Sequence, residues 1–261
     1  MENPPSDVRS GDLDLRIMRR AIIRRLDIPV RQGLVGFPTR LMPKIGHQHR
    51  PASQKTGTRR TRLRPRDMAM GLSNCQQIMK AIRSYNAEHT GGSYSDEYDF
   101  LRGKHVTSSN SYFKEALIKT GYVIDESIFG CPVSPYVPDG NLGAAPDFAQ
   151  ALEPGENHWI VTSGVSDSAG GMVPLVYENA ARCAWPPKWN ADARNQPVRG
   201  RAWSKGIILG MNDGSVSLWR LERDKGAEVG LRAKAPYEAD IFTLQNFSSG
   251  EPGWDVLNNE Q

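Results

Sequence analysis

One stretch of the sequence constrains the fold more than any other: the apolar residues at helical spacing between residues 66 and 89. They recur every three or four positions, at Leu72, Cys75, Met79 and Ile82, with Ile78 beside them and Tyr85 or Asn86 continuing the series. On a helix of 3.6 residues per turn, this spacing forms one apolar stripe. Glycines follow at 91 and 92, where a left-handed conformation can end a helix. The stretch therefore predicts a helix over 68–89 that packs on the rest of the chain.

The charge of the chain is unevenly distributed. Residues 1–66 carry sixteen Lys and Arg against five Asp and Glu, a net +11, whereas residues 67–261 carry seventeen against twenty-four, a net −7. A basic balance is typical of proteins that bind nucleic acid or anionic membranes. Here that inference applies only to the N-terminal part.

Residues 1–66 are predicted to form a largely disordered basic arm, because they combine many charges with few apolar residues. Within the arm, residues 13–28 can form a basic amphipathic helix, which either lies on an anionic surface or stays a frayed, solvated segment. Arginines can contact phosphates without a fold, but no aromatic residues are interleaved for base stacking. Nucleic acid is therefore an unlikely partner of this sequence.

After the first helix, the sequence predicts a second helix over 109–121, capped by Ser109 or Ser111 and ended by Gly121. A turn-rich connection follows over 122–157. Strands are then expected at 159–162 and 172–177. Within the second of these, Pro174 requires an edge or a bulge.

The strongest β signal is the run 205–221, in which Asp213 and Gly214 separate two β-prone segments. This pair predicts a two-residue type I′ hairpin turn. Val216 and Leu218 are expected to face one side of the return strand, and Ser217 and Trp219 the other. The elements together predict an α+β fold, with the N-terminal amphipathic helix packed on a small antiparallel sheet.

Three regions are predicted along the chain: the arm at 1–66, a globular domain at 67–222 and a polar extension at 223–261. The sequence has no run of about 18 apolar residues, which a transmembrane helix requires. It also shows no signal peptide, because the apolar residues 21–23 are flanked by arginines.

No combination of residues points to catalysis or to a cofactor. The histidines have no partner at a motif spacing, and neither a nucleophile elbow nor a phosphate loop is present. These histidines are His89, His105 and His158. The acidic residues Asp96, Glu97 and Asp99 offer oxygen atoms that suit calcium, with a solvated acidic loop as the alternative.

The three cysteines, Cys75, Cys131 and Cys183, form no C-x-x-C pair, so the sequence supports no zinc site. One disulfide can form in an oxidising compartment, and Cys75 with Cys131 is the pairing that we consider. Buried free thiols are the alternative.

Three segments in this order resemble the prepilin-like, type II secretion pseudopilin-like proteins that are abundant in Verrucomicrobia, Lentisphaerae and Planctomycetes. They are 70–89 (MGLSNCQQIMKAIRSYNAEH), 129–132 (FGCP), and 175–178 (LVYE) followed by 210–218 (GMNDGSVSL). The resemblance covers residues 66–222 and implies a pilin-like, non-enzymatic structural subunit. It also implies other pilin-like subunits of a secretion or pilus-like apparatus as partners, and a place in the cell envelope or outside the cell. Calcium binding by major pseudopilins adds to the interpretation of the acidic loop.

The sequence departs from this family in two places. Ser215 stands where the family often has His after Asp-Gly, so no role of that His carries over. Family members also have a basic leader, a cleavage site and an anchor of about 20 apolar residues. Here Gly36 and Phe37 are followed by an Arg-rich stretch that cannot span a bilayer. We interpret residues 1–65 as a frame or start artefact or as a diverged arm, and we expect membrane attachment only through an anchor missing from this sequence.

Two other functions stay open. The first is an extracellular glycan- or protein-binding module that uses the Trp-rich loop 185–203. The second is a nucleic-acid-associated protein that acts through the basic arm.

Overall fold

The computed structural model describes residues 64–89, 106–165, 167–233, 239–244 and 254–259. Helix α1 spans Pro65–His89. Helix α2 spans Ser109–Phe113 and continues as a π-helical turn over Lys114–Ile118. A 3₁₀ helix follows over Glu126–Phe129, and helix α3 spans Ile241–Leu244. The basic arm before residue 64, the acidic residues Asp96, Glu97 and Asp99, and His105 lie outside the described residues.

Five strands form one antiparallel sheet in the order β4-β3-β2-β1-β5. Their bounds are β1 Trp159–Ser163, β2 Pro174–Glu178, β3 Ile207–Met211, β4 Val216–Trp219 and β5 Asp255–Leu257. Every residue of β1, β2 and β3 is buried. Both faces of the sheet are therefore covered, one by α1 and α2 and the other by the connections that follow β2 and β4 together with α3.

The apolar stripe of α1 packs on the sheet as the sequence predicts. Cys75, Met79 and Ile82 are buried, and Leu72 is partly buried. Two glycines permit the close approach: a Cβ on Gly71 would lie 2.6 Å from Ile208 Cδ1, and one on Gly210 would lie 2.8 Å from Met79 Cγ. The predicted α+β fold, with this helix on an antiparallel sheet, is confirmed. Among the described residues, no helix is both long and apolar enough to cross a membrane.

The second helix is found where the sequence predicts it, but its cap is different. Ser108 caps α2, because its Oγ accepts a hydrogen bond from the Ser111 backbone N at 3.1 Å. Ser109 instead turns inward and donates to the Trp159 carbonyl at 2.8 Å. The prediction of Ser109 or Ser111 as the cap is therefore wrong. The turn after the helix reaches Gly121, whose φ of +83° suits glycine.

The β3–β4 hairpin is present, but its turn is not the predicted two-residue type I′ turn. Gly214 has a φ of +86°, whereas Asp213 is not in the positive-φ region. The Met211 backbone N donates to the Ser215 carbonyl at 2.8 Å, so three residues, 212–214, form the loop. A three-residue loop needs positive φ only at its last position, where Gly214 lies. The two faces of β4 are as expected, with Val216 and Leu218 toward α1.

Two further features concern the strands. Pro174 opens β2, a central strand, and the register shifts between Pro174 and Val176, which confirms the bulge alternative. In the polar C-terminal region, β5 pairs with β1 through Val161 and Leu257. The sequence pattern predicts no strand at 255–257, because three residues are too few to show a period-2 pattern.

Candidate functional site

The described residues contain one constellation of reactive side-chain types, which we call the buried polar cluster. Its members come from four places in the chain. They meet where the start of β1 lies beside the end of β2. They are Cys131 after the 3₁₀ helix, His158 just before β1, Glu178 at the end of β2, and Arg201 with Trp203 before β3. None is more than 8% exposed, so the cluster lies inside the protein.

Glu178 is the centre of the cluster. Its Oε1 accepts a hydrogen bond from Trp203 Nε1 at 2.8 Å and lies 3.1 Å from His158 Nε2. Its Oε2 accepts from the Ile208 backbone N at 3.0 Å. Burial opposes ionisation, but Arg201 and the His158 hydrogen bond outweigh it and hold the pKa of Glu178 below its ordinary value. Glu178 is therefore a buried carboxylate.

Arg201 supplies the positive charge. Its Nη2 lies 3.6 Å from Glu178 Oε1 and donates to the Pro132 carbonyl at 3.0 Å. Its Nε donates to the Val133 carbonyl at 3.0 Å, and its guanidinium lies 4.4 Å from the centre of the Trp203 ring. A buried charge needs an opposite charge and hydrogen bonds. The ion pair and the two carbonyls provide these for Nε and Nη2, whereas Nη1 is buried without a hydrogen-bond partner among the described residues.

His158 is a neutral hydrogen-bonding bridge. The Asn179 side-chain oxygen accepts from the Gly200 backbone N at 2.6 Å, so its Nδ2 faces His158 Nδ1, at 2.8 Å. An amide nitrogen only donates, so Nδ1 must accept and the ring proton lies on Nε2, which donates to Glu178. Burial lowers the pKa of His158, which favours the neutral ring.

The cluster does not have the properties of a nucleophilic site. Burial and the Glu178 charge raise the pKa of the Cys131 thiol. The nucleophilic form of cysteine is the thiolate, and a substrate must be able to reach it. Cys131 satisfies neither condition, since its Sγ donates toward Glu178 Oε1 at 3.6 Å inside the protein.

The ligand types of the cluster also raise the question of a metal. Ligand atoms of Cys131, His158 and Glu178 lie within 4.8 Å of one another, and these residue types bind zinc in other proteins. However, Arg201 Nη2 lies 3.6 Å from both the sulfur and the carboxylate oxygen. The cluster is thus already neutralised by an internal cation, and a metal ion would be repelled by it.

A second group of carboxylates lies at the connection 122–157. Glu126, Asp139 and Glu156 bring carboxylate oxygens within 4.8 Å of one another. Burial raises the pKa of Glu126 and of Glu156. Glu126 accepts from the backbone N of Gly140 at 3.0 Å and of Leu152 at 3.4 Å. Through these hydrogen bonds, Glu126 stabilises the irregular connection 122–157.

The predicted site residues are found in different places. Cys75 and Cys131 are both free, buried thiols, which matches the alternative to their disulfide. Of the tryptophans in the loop 185–203, Trp189 and Trp203 are fully buried. Trp185 packs edge-on against Phe242 and Trp254, with ring centres at 5.2 and 5.9 Å. His89 ends α1.

Sequence reasoning missed the pairing of Glu178 with Arg201. One signal was available: Glu178 follows the apolar run 173–177, and a carboxylate at the end of a buried strand needs a partner. Its partner lies 23 positions later in an irregular loop, where no periodicity points to it.

Comparison of this chain with protein-family models, with curated proteins and with solved structures finds no match. Functional inference therefore rests on the residues and the geometry described above. The architecture that these residues form is α+β, with α1 on a five-stranded antiparallel sheet.

Proposed function

We propose that this chain is a non-enzymatic structural subunit of a pilin-like or pseudopilin-like assembly. The observation that supports the proposal is the relation of α1 to the sheet. The helix contacts β2, β3 and β4 through one apolar stripe and leaves a polar face uncovered along its length. With 25 residues at 1.5 Å each, it is about 38 Å long. The resemblance noted in the sequence implies this arrangement of one helix on an antiparallel sheet.

The first turn and a half of α1 adds to this support. Residues 65–70 are exposed or only partly buried, and Met70 is 52% exposed. From Gly71 onward, the stripe is in contact with the sheet. A helix with an uncovered N-terminal end and an uncovered polar face can contact neighbouring subunits without disturbing its own domain.

The chemistry of the described residues supports a structural role over an enzymatic one. Their reactive constellation is the buried polar cluster, which is inaccessible and internally neutralised. Catalytic groups must reach the reacting atoms of a substrate. A cluster that is sealed in this way cannot meet that requirement.

The two alternative functions have less support. A glycan site in the loop 185–203 would need exposed aromatic faces, but Trp189 and Trp203 are fully buried. The basic arm lies outside the described residues, so nucleic-acid binding through it stays a prediction.

Site-specific photocrosslinking tests the proposal. A photoreactive amino acid is placed at Gln76, on the uncovered face of α1, and, as the matched control, at the exposed Asp192 in the connection between β2 and β3. Both variants are produced in the cells that naturally make the protein, and the adducts are identified by mass spectrometry. We expect adducts with pilin-like subunits at position 76 and not at position 192. Equal yields at both positions, or adducts that contain no pilin-like protein, would contradict the proposal.

A further inference from the structure

A cationic cavity lies beyond the end of β4, and no residue of α1 is among its described lining residues. We call it the basic pocket. Its volume is about 270 Å³. Four cationic side chains and one carboxylate line it, a net formal charge of +3: Arg194, Lys205, Arg220, Arg232 and Asp224. Residues 67–261 carry a net charge of −7, so the positive charge of the pocket is opposite in sign to the net charge of this part of the chain.

From this pocket we infer a binding site for a tetrahedral oxyanion group, the chemistry shared by phosphate and phosphate monoesters. Such groups are bound by several converging cationic hydrogen-bond donors, of which arginine is the most suitable because its planar fork can bind two oxygens. The inference does not depend on the proposed structural role.

The placement of two arginines is the main argument. The Arg232 backbone N donates to the Arg220 carbonyl at 2.7 Å, and Leu221 pairs with Leu231 between antiparallel segments. Both leucines are buried, so the alternation of side chains places Arg220 and Arg232 opposite each other on the other face. Like charges directly opposite on paired strands destabilise them. An anion between the two guanidinium groups would turn this repulsion into attraction.

The one carboxylate among the described lining residues, Asp224, neutralises only one of the four cations. Within the described part of the chain, Lys205, Arg220 and Arg232 form no ion pair. Asp224 accepts from Arg194 Nη2 at 3.0 Å, and its own side chain is 92% exposed. Glu222, next but one to Arg220, pairs with Arg223 at 3.2 Å instead. Counted over the described residues, three positive charges in the pocket have no opposite charge.

Arg194 contributes a further unmet donor. Its side chain is three-quarters buried, and its Nη2 also donates to the Asp224 carbonyl at 2.6 Å. Its Nε is buried without a hydrogen-bond partner in the described residues. A buried donor without a partner is costly, but no solvent reaches this Nε, so an oxyanion in the pocket would reach it only if the Arg194 side chain moved.

The wall that carries Lys205 is held rigidly by its backbone. The Trp203 backbone N donates to the Gly206 carbonyl at 2.7 Å, and the Gly206 N donates back to the Trp203 carbonyl at 3.2 Å. A Cβ on Gly206 would lie 1.7 Å from the Trp219 carbonyl oxygen, so only glycine fits here. The turn therefore lies directly against the end of β4, and Lys205 is held at the pocket.

The lining also limits what the rest of the ligand can be. Among the described residues that line it, Leu221 is the one large apolar residue, and none is aromatic. These residues therefore offer no stacking platform for a base. The pocket suits inorganic phosphate or a phosphate monoester, either free in solution or at the surface of a phospholipid membrane.

Calorimetric titration of the full chain with inorganic phosphate in a chloride buffer tests the inference. The variant R220E/R232E is compared with R66E/K80E, which makes the same change in net charge at exposed positions of α1. We expect at least about tenfold weaker binding for R220E/R232E, since each arginine can provide a charge-assisted hydrogen bond. The control should bind within about twofold of the original chain, because neither position lines the pocket and salt screens exposed charges that do not contact the ligand.

Equal weakening in both variants would show that phosphate binds by diffuse charge, including that of the N-terminal arm, and would overturn the inference. So would the absence of binding by the original chain to both phosphate and vesicles. If R220E/R232E does not fold, R232Q serves instead, with amide shifts of Lys205 and Gly206 on phosphate addition as the readout. Loss of those shifts supports the site, and their persistence contradicts it.

Cosedimentation with vesicles separates the two sources of the ligand. Vesicles of phosphatidylcholine with phosphatidic acid are compared with vesicles of phosphatidylcholine alone. Binding to phosphatidic acid that is lost in R220E/R232E and kept in R66E/K80E assigns the site to a lipid phosphate. Binding to inorganic phosphate without vesicle binding assigns it to a free ligand.

Discussion

Arginines are placed in two opposite ways in this domain. In the buried polar cluster, Arg201 is fully buried, and Glu178 balances its charge at 3.6 Å. In the basic pocket, Arg220 and Arg232 oppose each other, and no carboxylate pairs with either in the described residues. The comparison teaches that a buried cation needs a counter-ion from the protein itself, whereas the counter-ion of a surface cation can be a bound ligand.

The largest effect is expected from removing the counter-ion in the buried cluster. E178Q leaves the Arg201 charge buried without an opposite charge. We expect a loss of about 3–5 kcal/mol in the free energy of unfolding, measured by urea denaturation at pH 7. The double variant E178L/R201M should recover most of this loss, because it removes both charges. A double variant as unstable as E178Q would show that the loss does not come from leaving the Arg201 charge buried without a partner.

Thiol labelling compares the accessibility of the buried cysteines with that of a partly exposed one. Cys183 is only partly buried, whereas Cys75 and Cys131 are buried free thiols. Under native conditions, we expect a thiol reagent to modify the two buried cysteines at least about a hundredfold more slowly than Cys183, because they become accessible only through opening. Single-cysteine variants and mass spectrometry give the three rates. Rapid labelling of Cys131 would contradict the sealed cluster.

The stability that the buried cluster provides should also depend on pH. The pKa of His158 is below its ordinary value of 6.5 in the fold, so the unfolded chain takes up a proton first as the pH falls. The stability from the neutral ring is therefore present above pH 6.5 and is lost as the pH falls from there toward the folded pKa, by up to about 1.4 kcal/mol per unit. Glu178, whose ordinary value is 4.5, adds a loss of the same sign below that pH.

Urea denaturation at several pH values measures this slope. The variant H158Q should keep the contribution of Glu178 below pH 4.5 but lose the slope just below pH 6.5, because glutamine does not titrate. An unchanged slope in H158Q would assign the dependence to other groups.

The smallest effect concerns the repulsion in the basic pocket. In phosphate-free buffer at low salt, R232Q should be more stable than the original chain by about 0.2–1 kcal/mol, because it removes a like-charge pair. Sodium chloride should reduce this difference, since salt screens exposed charges. The difference in the free energy of unfolding between E178Q and the original chain should change little with salt, because this ion pair is buried. If R232Q is less stable than the original chain at all salt concentrations, Arg232 stabilises the fold, and the predicted repulsion between Arg220 and Arg232 is contradicted.

The sequence predicts the parts of this fold that depend on local periodicity. The stripe from Leu72 to Ile82 and the position of the β3–β4 hairpin follow from spacing and turn residues. The details that depend on tertiary contacts do not. The Asn212 backbone N donates to the Val173 carbonyl at 2.8 Å, a contact with a distant loop that accompanies the three-residue turn.

The buried polar cluster was beyond sequence reasoning for the same physical reason. Cys131 and His158 appear in the sequence as isolated residues. Their role in the cluster depends on contacts with Glu178, which itself pairs with Arg201. These four meet because strand pairing brings the start of β1 beside the end of β2, with Trp159 opposite Glu178. The basic pocket likewise depends on the pairing of Leu221 with Leu231, ten positions away.

The two glycine contacts between α1 and β3 have a mechanical consequence. At Gly71 and at Gly210, the side chains of Ile208 and Met79 lie where a methyl group would be, so a larger residue would require these side chains to move. The helix cannot slide along the sheet without forcing Met79 or Ile208 out of its place, since close-packed interiors transmit strain. A pull on the N-terminal end of α1 is therefore carried directly into the central strands, and helix and sheet bear tension as one body.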